Sequence, residues 1–400
     1  MRAHSRTAVT ALPRLPAPLA VNWPRGLDAR RFLERYWQKA PLLVRQAFPG
    51  FRDRLPRTRL AALATRDDVE SRLISHTRHR DGGRYRVDHG PLGARTLARL
   101  DRPDATLLVQ GVNMYVGHTR ALLDAFAFVP LARRDDLMVS DASPGGGVGP
   151  HVDAYDVFLL QTRGRRLWRI ARAFDPALVD DAPLKLLADF VAEDEYLLEP
   201  GDFLYLPPGV AHDGIALDAC ATWSIGFRAP SARELAQRWL SFVEDRFDDD
   251  RRYADPDLRL QRSPSWLSDQ FVDRARRMLG QLAFDPGGFE TFLGCELTEA
   301  KARVRFIPPS RPLSLQTFDR VRATRSIALD PASLMLHRGR QVFLNGEATT
   351  VAARSVRSAV RLADTRSLAP ASGSARFPAP DSQWRETLYA WYCCGYINLQ

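Results

Sequence analysis

Gly145-Gly-Gly-Val-Gly-Pro-His-Val-Asp-Ala-Tyr-Asp-Val-Phe-Leu-Leu-Gln161 is the stretch on which the fold turns. A glycine-rich loop, Ser143 to Pro150, runs into His151 and Asp153, and a β-branched and aromatic run follows. In an extended chain, residues two apart share a face about 6–7 Å from each other, so His151 and Asp153 converge while Val152 points away. A third ligand is offered by His212, which ends Tyr205-Leu-Pro-Pro-Gly-Val-Ala-His212. Antiparallel pairing would bring it alongside. Two histidines and a carboxylate are the ligand set of non-haem Fe(II) oxygenases. Such a set leaves coordination positions open for a keto-acid cosubstrate and O2, whereas a structural site is closed by four protein ligands.

Each part has an ordinary reading too. A His-x-Asp pair recurs by chance, a lone strand histidine is commonly a hydrogen-bonded core residue, and a glycine-rich loop can be a surface turn. The company strengthens the metal reading. Tyr155 to Gln161, a turn at Gly164 and Leu167-Trp-Arg-Ile170 predict a hairpin that carries the ligands at its start. Leu197 to Gly209 reads as turn, four-residue strand and second turn, punctuated by Pro200-Gly201 and Pro207-Pro-Gly209, and a histidine just past such a turn can aim inward.

On Gly145 to Ile170, Glu199 to His212 and Ser224-Ile-Gly-Phe-Arg-Ala-Pro230, the chain resembles the Jumonji-C oxygenases of the cupin superfamily. It looks most like their bacterial ribosomal oxygenase branch, which hydroxylates an arginine of a large-subunit ribosomal protein. Phe32 to Phe51 is similar to the start of those enzymes, and Leu107-Leu-Val-Gln-Gly-Val-Asn113 to the strand that opens their barrel. The resemblance implies an α+β fold: a double-stranded β-helix (cupin/Jumonji-C) barrel, a helical dimerisation region and a C-terminal winged-helix domain. The divisions expected are a flexible tail at 1–20, the oxygenase domain at 21–230, the helical region at 231–303 and the winged-helix-like domain at 304–400. It also implies an Fe(II) triad of His151, Asp153 and His212, with 2-oxoglutarate and O2 as cosubstrates. The basic residue that binds the distal carboxylate of 2-oxoglutarate falls on Arg166. A guanidinium can hold a carboxylate by two parallel charge-assisted bonds. Arg165 and Arg169 compete for that part, but alternation puts Arg166, Trp168 and Ile170 on one face and Arg165, Leu167 and Arg169 on the other. Gln110, Asn113 and Thr222 are polar residues expected on strands near the site, as cofactor contacts or as ordinary strand-end hydrogen bonders. Asp141 and Asp156 are candidate partners for a substrate guanidinium.

The 400 residues suffice for two or three domains, and 45% apolar content fits a folded chain. No run of 18 apolar residues appears, which argues against a membrane span. Pro13, Arg14, Pro16 and Pro18 interrupt the hydrophobic stretch a secretory signal needs. Cys220, Cys295, Cys393 and Cys394 lack both metal spacing and the density of a disulfide scaffold, so a reduced, cytoplasmic protein is expected. The net charge of +10 invites a polyanionic partner. Lys39, Lys185 and Lys301 are the only lysines among 57 basic residues, a ratio that points to GC-rich coding more than to selected phosphate contacts.

Beyond the barrel, Ser231 and Glu234 form a capping box, and Leu235, Trp239, Phe242 and Val243 make the apolar stripe of the helix it starts, with Glu244 to Arg252 as a charged exit. Further helices are expected around Trp266, Phe271, Ala275, Met278 and Leu279, and around Phe289, Phe292 and Leu293. Asn345-Gly346 between short apolar runs signals a hairpin. Helices over Ala352–Leu362 and from Trp384 to about Tyr392 flank it, with a loop at Pro370 to Pro380. Winged helices often bind DNA, yet the same shape serves protein contacts. The leading expectation is a 2-oxoglutarate-dependent protein hydroxylase, a homodimer acting on a large-subunit ribosomal protein. Its rivals are a histidyl hydroxylase or N-methyl-lysine demethylase on the same barrel, a Zn or Mn cupin working without O2, and a non-catalytic ribosome- or DNA-binding adaptor.

Overall fold

Strands β1 (Leu42–Val44), β2 (Ser71–Thr77), β3 (Arg84–His89), β4 (Ala105–Val109), β5 (Arg134–Ala142), β6 (His151–Val152), β7 (Asp156–Arg163), β8 (Arg166–Ala171), β9 (Asp194–Leu198), β10 (Phe203–Leu206), β11 (Ala211–Ala216) and β12 (Cys220–Phe227) build the first of two units. The computed structural model describes residues 19–77, 84–246, 252, 254, 256, 268–278, 286–370 and 381–400. Nearly all of the expected tail, part of the charged exit after Glu244, Trp266, Leu279 and most of the 370–380 loop lie outside the described residues.

The strands form two facing sheets. The larger has the order β1-β10-β7-β12-β5-β4-β2-β3, and the smaller has β6-β11-β8-β9. β7 lies inside the larger sheet and is buried on both faces, which is why its middle, Val157 to Leu160, is a continuous apolar run instead of alternating. Its Phe158 and Leu160 point outward into a cluster with Phe32, Phe126, Phe203, Tyr205 and Trp223. Val157 and Leu159 point inward, against Trp168, Ile170 and Leu198 of the smaller sheet and Leu204, Leu206 and Val210. The N-terminal helix Ala29–Arg35 supplies Phe32, whose ring meets Tyr205 edge-on at 4.9 Å, so the region before the barrel seals the outer face of its larger sheet.

One expectation fails here. β7 and β8 are joined by the predicted Gly164 turn but are not hairpin partners: β7 pairs with β10 and β12, whereas β8 pairs with β11 and β9. The turn carries the chain from one sheet to the other. Apolar alternation predicts strands and turns equally well for a hairpin and for a corner, so the sequence could not separate them. The second turn region is as read, with the four-residue β10 between positive-φ glycines at 201 and 209.

The second unit contains helices Ala232–Glu244, Asp269–Met278, Pro286–Thr298, Leu315–Thr324, Val356–Thr365 and Ser382–Cys393. The capping box is formed: Glu234 N–H donates to Ser231 Oγ at 3.1 Å and Ser231 N–H donates to Glu234 Oε2 at 2.7 Å. Its apolar stripe is only half covered. Trp239 stacks on Phe242 and meets Phe289 and Phe292 edge-on, but none of Leu235, Trp239, Phe242 and Val243 is fully buried. Farther on, β13 (Ile327–Leu329), β14 (Met335–Arg338), β15 (Gln341–Leu344), β16 (Glu347–Thr350), β17 (Ser367–Leu368) and β18 (Ile397–Leu399) form two three-stranded sheets, β17-β13-β18 and β14-β15-β16. Phe318, Leu362, Trp384, Leu388 and Trp391 fill their core. The Asn345-Gly346 hairpin joins β15 and β16 with both turn residues at positive φ. Helix Leu315–Thr324, capped by Ser314, had no counterpart among the expectations.

Candidate metal centre

His151 of β6 and His212 of β11 are direct register partners, and their ring centroids lie 4.2 Å apart. Asp153 follows β6 with one exposed residue, Val152, between it and His151, and its Oδ2 is 3.7 Å from His212 Nε2. One ligand atom from each of the three lies within 4.8 Å of the others. Among the described residues no other trio of His, Cys, Asp or Glu converges in this way.

Both rings are held the same way from behind. His151 Nδ1 is 2.8 Å from the Gly149 carbonyl, and His212 Nδ1 is 3.0 Å from the Val210 carbonyl. A carbonyl only accepts, so each Nδ1 carries the hydrogen and each Nε2 presents its lone pair to the centre of the trio. Burial and the neighbouring His151 push the pKa of His212 down to about 3, leaving it a neutral ligand over the whole ordinary pH range. Burial raises the pKa of Asp153, against the opposing pull of His151 and of a hydrogen bond from the Tyr155 hydroxyl. Tyr155 itself is 41% exposed.

The glycine-rich loop is wall, not surface turn. Gly145 N–H donates to the Ala216 carbonyl at 2.8 Å and Ala216 N–H donates to the Gly146 carbonyl at 2.9 Å, which fastens the loop to the end of β11.

Register fixes what faces the trio. Across β8 and β11, Ile170 opposes His212, Trp168 opposes Gly214 and Arg166 opposes Ala216, so all six share the inward face. Arg166 is 3% exposed, its Nε has no hydrogen-bond partner, and its Nη2 rests 3.7 Å from Cys220 Sγ. The two competing arginines are engaged elsewhere: Arg165 with Asp218 at 2.9 Å and Arg169 with Asp213 at 2.8 Å. Among the described residues Arg166 has no carboxylate partner. A buried guanidinium in that state is costly unless an anion joins it, so the residues fit a dicarboxylate.

The remaining expected residues separate. Thr222 does face the interior of the larger sheet, where its Oγ1 donates to Gln161 Oε1 at 2.8 Å. Gln110 follows β4 half-buried, and its backbone N–H donates to Glu70 O. Asn113 is not on a strand: it sits in the one-turn helix Val112–Tyr115, where its Oδ1 accepts from Leu137 N–H of β5 at 2.9 Å. Asp156 and Asp141 are already occupied. Asp156 accepts from Tyr205 Oη, Gln38 Nε2 and Arg133 Nη2, and Asp141 is paired with Arg57 and Arg163. Residues missed were Ser140, Gln161 and Ser224, which line the inner face beside Thr222. Single polar residues at alternate positions of buried strands were the signal. Also missed was Lys301, which binds Asp136 at 2.7 Å and Asp135 at 3.0 Å, far apart in sequence.

Known proteins agree with this architecture. A JmjC domain model matches residues 121–235, a ROXA-like winged helix model matches 281–398, and an AraC-like ligand binding domain model matches 190–281. The ribosomal protein uL16 3-hydroxylase of Escherichia coli is 36% identical over 331 residues, which is 82% of this chain and 86% of that one. A probable ribosomal oxygenase of Haemophilus influenzae is 34% identical over 242 residues, 59% of this chain and 56% of its own. Among solved structures, the E. coli ribosomal oxygenase YcfD superposes with a TM-score of 0.79 at 33% identity, covering 96% of this chain and all of that one. Its complex with cobalt and 2-oxoglutarate gives a TM-score of 0.80 at 33% identity, with 96% and 99% covered. With the likeness extending over nearly the whole length and both parts of the fold, the chain belongs to the JmjC-domain ribosomal oxygenase family.

Proposed function

We propose that this protein is a 2-oxoglutarate- and Fe(II)-dependent oxygenase that hydroxylates a side chain, arginine as first expectation, of a large-subunit ribosomal protein. The observation that carries the reading is a His-Asp-His trio on the same inward face as Arg166, a buried guanidinium that has no carboxylate partner among the described residues. His151, Asp153 and His212 would hold the metal, and Arg166 would take the distal carboxylate of 2-oxoglutarate. When bound, iron, 2-oxoglutarate and O2 together turn a substrate C–H into C–OH, the cosubstrate leaving as succinate and CO2. The protein's own part is geometric. The Gly149 and Val210 carbonyls fix the tautomers, Tyr155 hydrogen-bonds one ligand carboxylate, and the aliphatic and aromatic inner wall around Trp168 keeps water from the reacting centre.

The substrate assignment takes its support from the E. coli relative, whose name gives ribosomal protein uL16 as its target. The cytoplasm, where ribosomal proteins are made, is the proposed site of action, and no described helix is long and apolar enough to cross a membrane. A homodimer is part of the proposal: Leu240 and Phe271, on two of the helices after the barrel, are 66% and 43% exposed, apolar side chains that a second copy would cover. So are the domain divisions near 230 and 303.

The test is incubation of the purified protein with Fe(II), 2-oxoglutarate and the cognate ribosomal protein, with succinate release and target mass followed together. Wild type should release succinate only with substrate present and add one oxygen to it. His151→Ala and Asp153→Ala should do neither while keeping the wild-type circular dichroism. Oxygen gained on a histidine, or carbon lost from a methylated lysine, would reassign the substrate, and turnover without O2 would overturn the oxygenase reading.

A further inference from the structure

Trp168 occupies the one position on the inward face between the trio and Arg166. Its ring centroid is 5.9 Å from that of His212 on one side and 5.7 Å from the Arg166 guanidinium carbon on the other. It lies directly over Gly214, where a Cβ would fall 2.6 Å from the indole, so the bare backbone of Gly214 is what allows the ring to lie there. The residue is 4% exposed, and its Nε1–H has no acceptor among the described residues. An indole N–H buried away from water ordinarily finds a partner. Arg166 Nε, another unpartnered donor on this face among the described residues, belongs to the neighbouring register pair.

The distances add a second point. From the His212–Ile170 pair to the Ala216–Arg166 pair is four residues of strand, about 13 Å between backbones. The Arg166 guanidinium lies within cation–π reach of the Trp168 ring, while its Nη2 rests against Cys220 Sγ. The ring therefore acts as a spacer with a fixed thickness between metal ligands and cation.

We propose that Trp168 is a positioning and specificity-determining residue. By holding Arg166 at a set distance from the trio, and by donating its Nε1–H to the bound anion, it selects an oxo-dicarboxylate of five carbons over those one carbon shorter or longer. Gly214 is its necessary counterpart. The inference rests on the function proposed above and deepens it.

The experiment measures binding as well as turnover. Wild type, Trp168→Phe and Gly214→Ala are titrated first with Co(II) alone, and then, cobalt-loaded, with 2-oxoglutarate, oxaloacetate and 2-oxoadipate by calorimetry. Trp168→Phe keeps a ring but loses the N–H and one ring's width; Gly214→Ala keeps the indole with its N–H but displaces it. Both should bind cobalt within about twofold of wild type, lose about tenfold or more in 2-oxoglutarate affinity, and discriminate less among the three acids. KM for 2-oxoglutarate should rise more than kcat falls. Unchanged affinity and discrimination in both variants would overturn the inference, as would loss of cobalt binding, which would make Trp168 a support for His212 alone. Failure of cobalt-loaded wild type to bind 2-oxoglutarate would sink the proposed function itself, an outcome visible before any variant is compared.

Discussion

Replacing Arg166 by leucine should make the metal-free protein more stable while destroying its affinity for cosubstrate. The guanidinium is 3% exposed, without a carboxylate partner among the described residues, touching Cys220 Sγ and the Trp168 ring, and bordered by Ala142, Ala216 and Cys220, a small apolar cluster. An uncompensated buried charge costs several kcal/mol, and replacing buried charges by apolar groups of similar volume has stabilised other proteins by about 1–4 kcal/mol. Allowing for an imperfect fit of the shorter side chain, the expected gain is about 1–3 kcal/mol, a rise of several degrees in the barrel's melting temperature. Binding moves the other way. A bidentate pair to a carboxylate contributes about 3 kcal/mol or more, so Arg166→Leu should weaken 2-oxoglutarate binding by at least about 100-fold. The assay pairs urea denaturation of the chelator-treated protein with calorimetric titration of cosubstrate into the cobalt-loaded form. If Arg166→Leu lowers the urea midpoint at unchanged slope, the charge is compensated within the fold and the reasoning is wrong.

Apo stability should fall as pH drops below 6.5. His212 takes up a proton near 6.5 when unfolded but only near 3 when folded, so the unfolded state binds more protons in that window, at up to about 1.4 kcal/mol per pH unit. Asp153, whose folded pKa is raised, works in the opposite direction just above the ordinary carboxylate range, so the clean window is above it; His212→Asn should flatten the urea midpoint there, and an unflattened profile would refute the assignment. Gly346→Ala should destabilise the C-terminal sheets by about 1–2 kcal/mol, because φ is +89° and the nearest atom to an added Cβ is 3.7 Å away, leaving backbone strain as the sole cost; a native-like melting curve would exclude a left-handed turn there. Ser231→Ala should cost about 1 kcal/mol through loss of the capping box, and Ser231→Asp should restore most of it, both read from thermal melts.

Local periodicity made much of this molecule legible. The two-residue spacing of His151 and Asp153 and the Pro-Gly punctuation before His212 located the trio, and alternation separated Arg166 from its neighbours. What stayed hidden was long-range. The sheet to which β8 belongs depends on pairing with β11, some fifty residues on, so the Gly164 corner read as a hairpin. Asn113 was taken for a strand residue because the apolar run of β4 continues into it, but the chain turns at Gly111 and a short helix begins. Asp141 and Asp156 looked free because their partners, Arg57, Arg163, Gln38 and Tyr205, come from distant segments.

The matching tethers of the two histidines carry a final consequence. Each imidazole is anchored by a carbonyl just two residues earlier in the chain, in the segment that leads into its strand, so neither depends on the other, or on a visiting ion, to find its orientation. The cradle is complete before anything enters it. Divalent ions should therefore exchange in and out at rates governed by the shedding of their hydration shells, and the chain should accept whichever suitable ion its surroundings supply without refolding to do so.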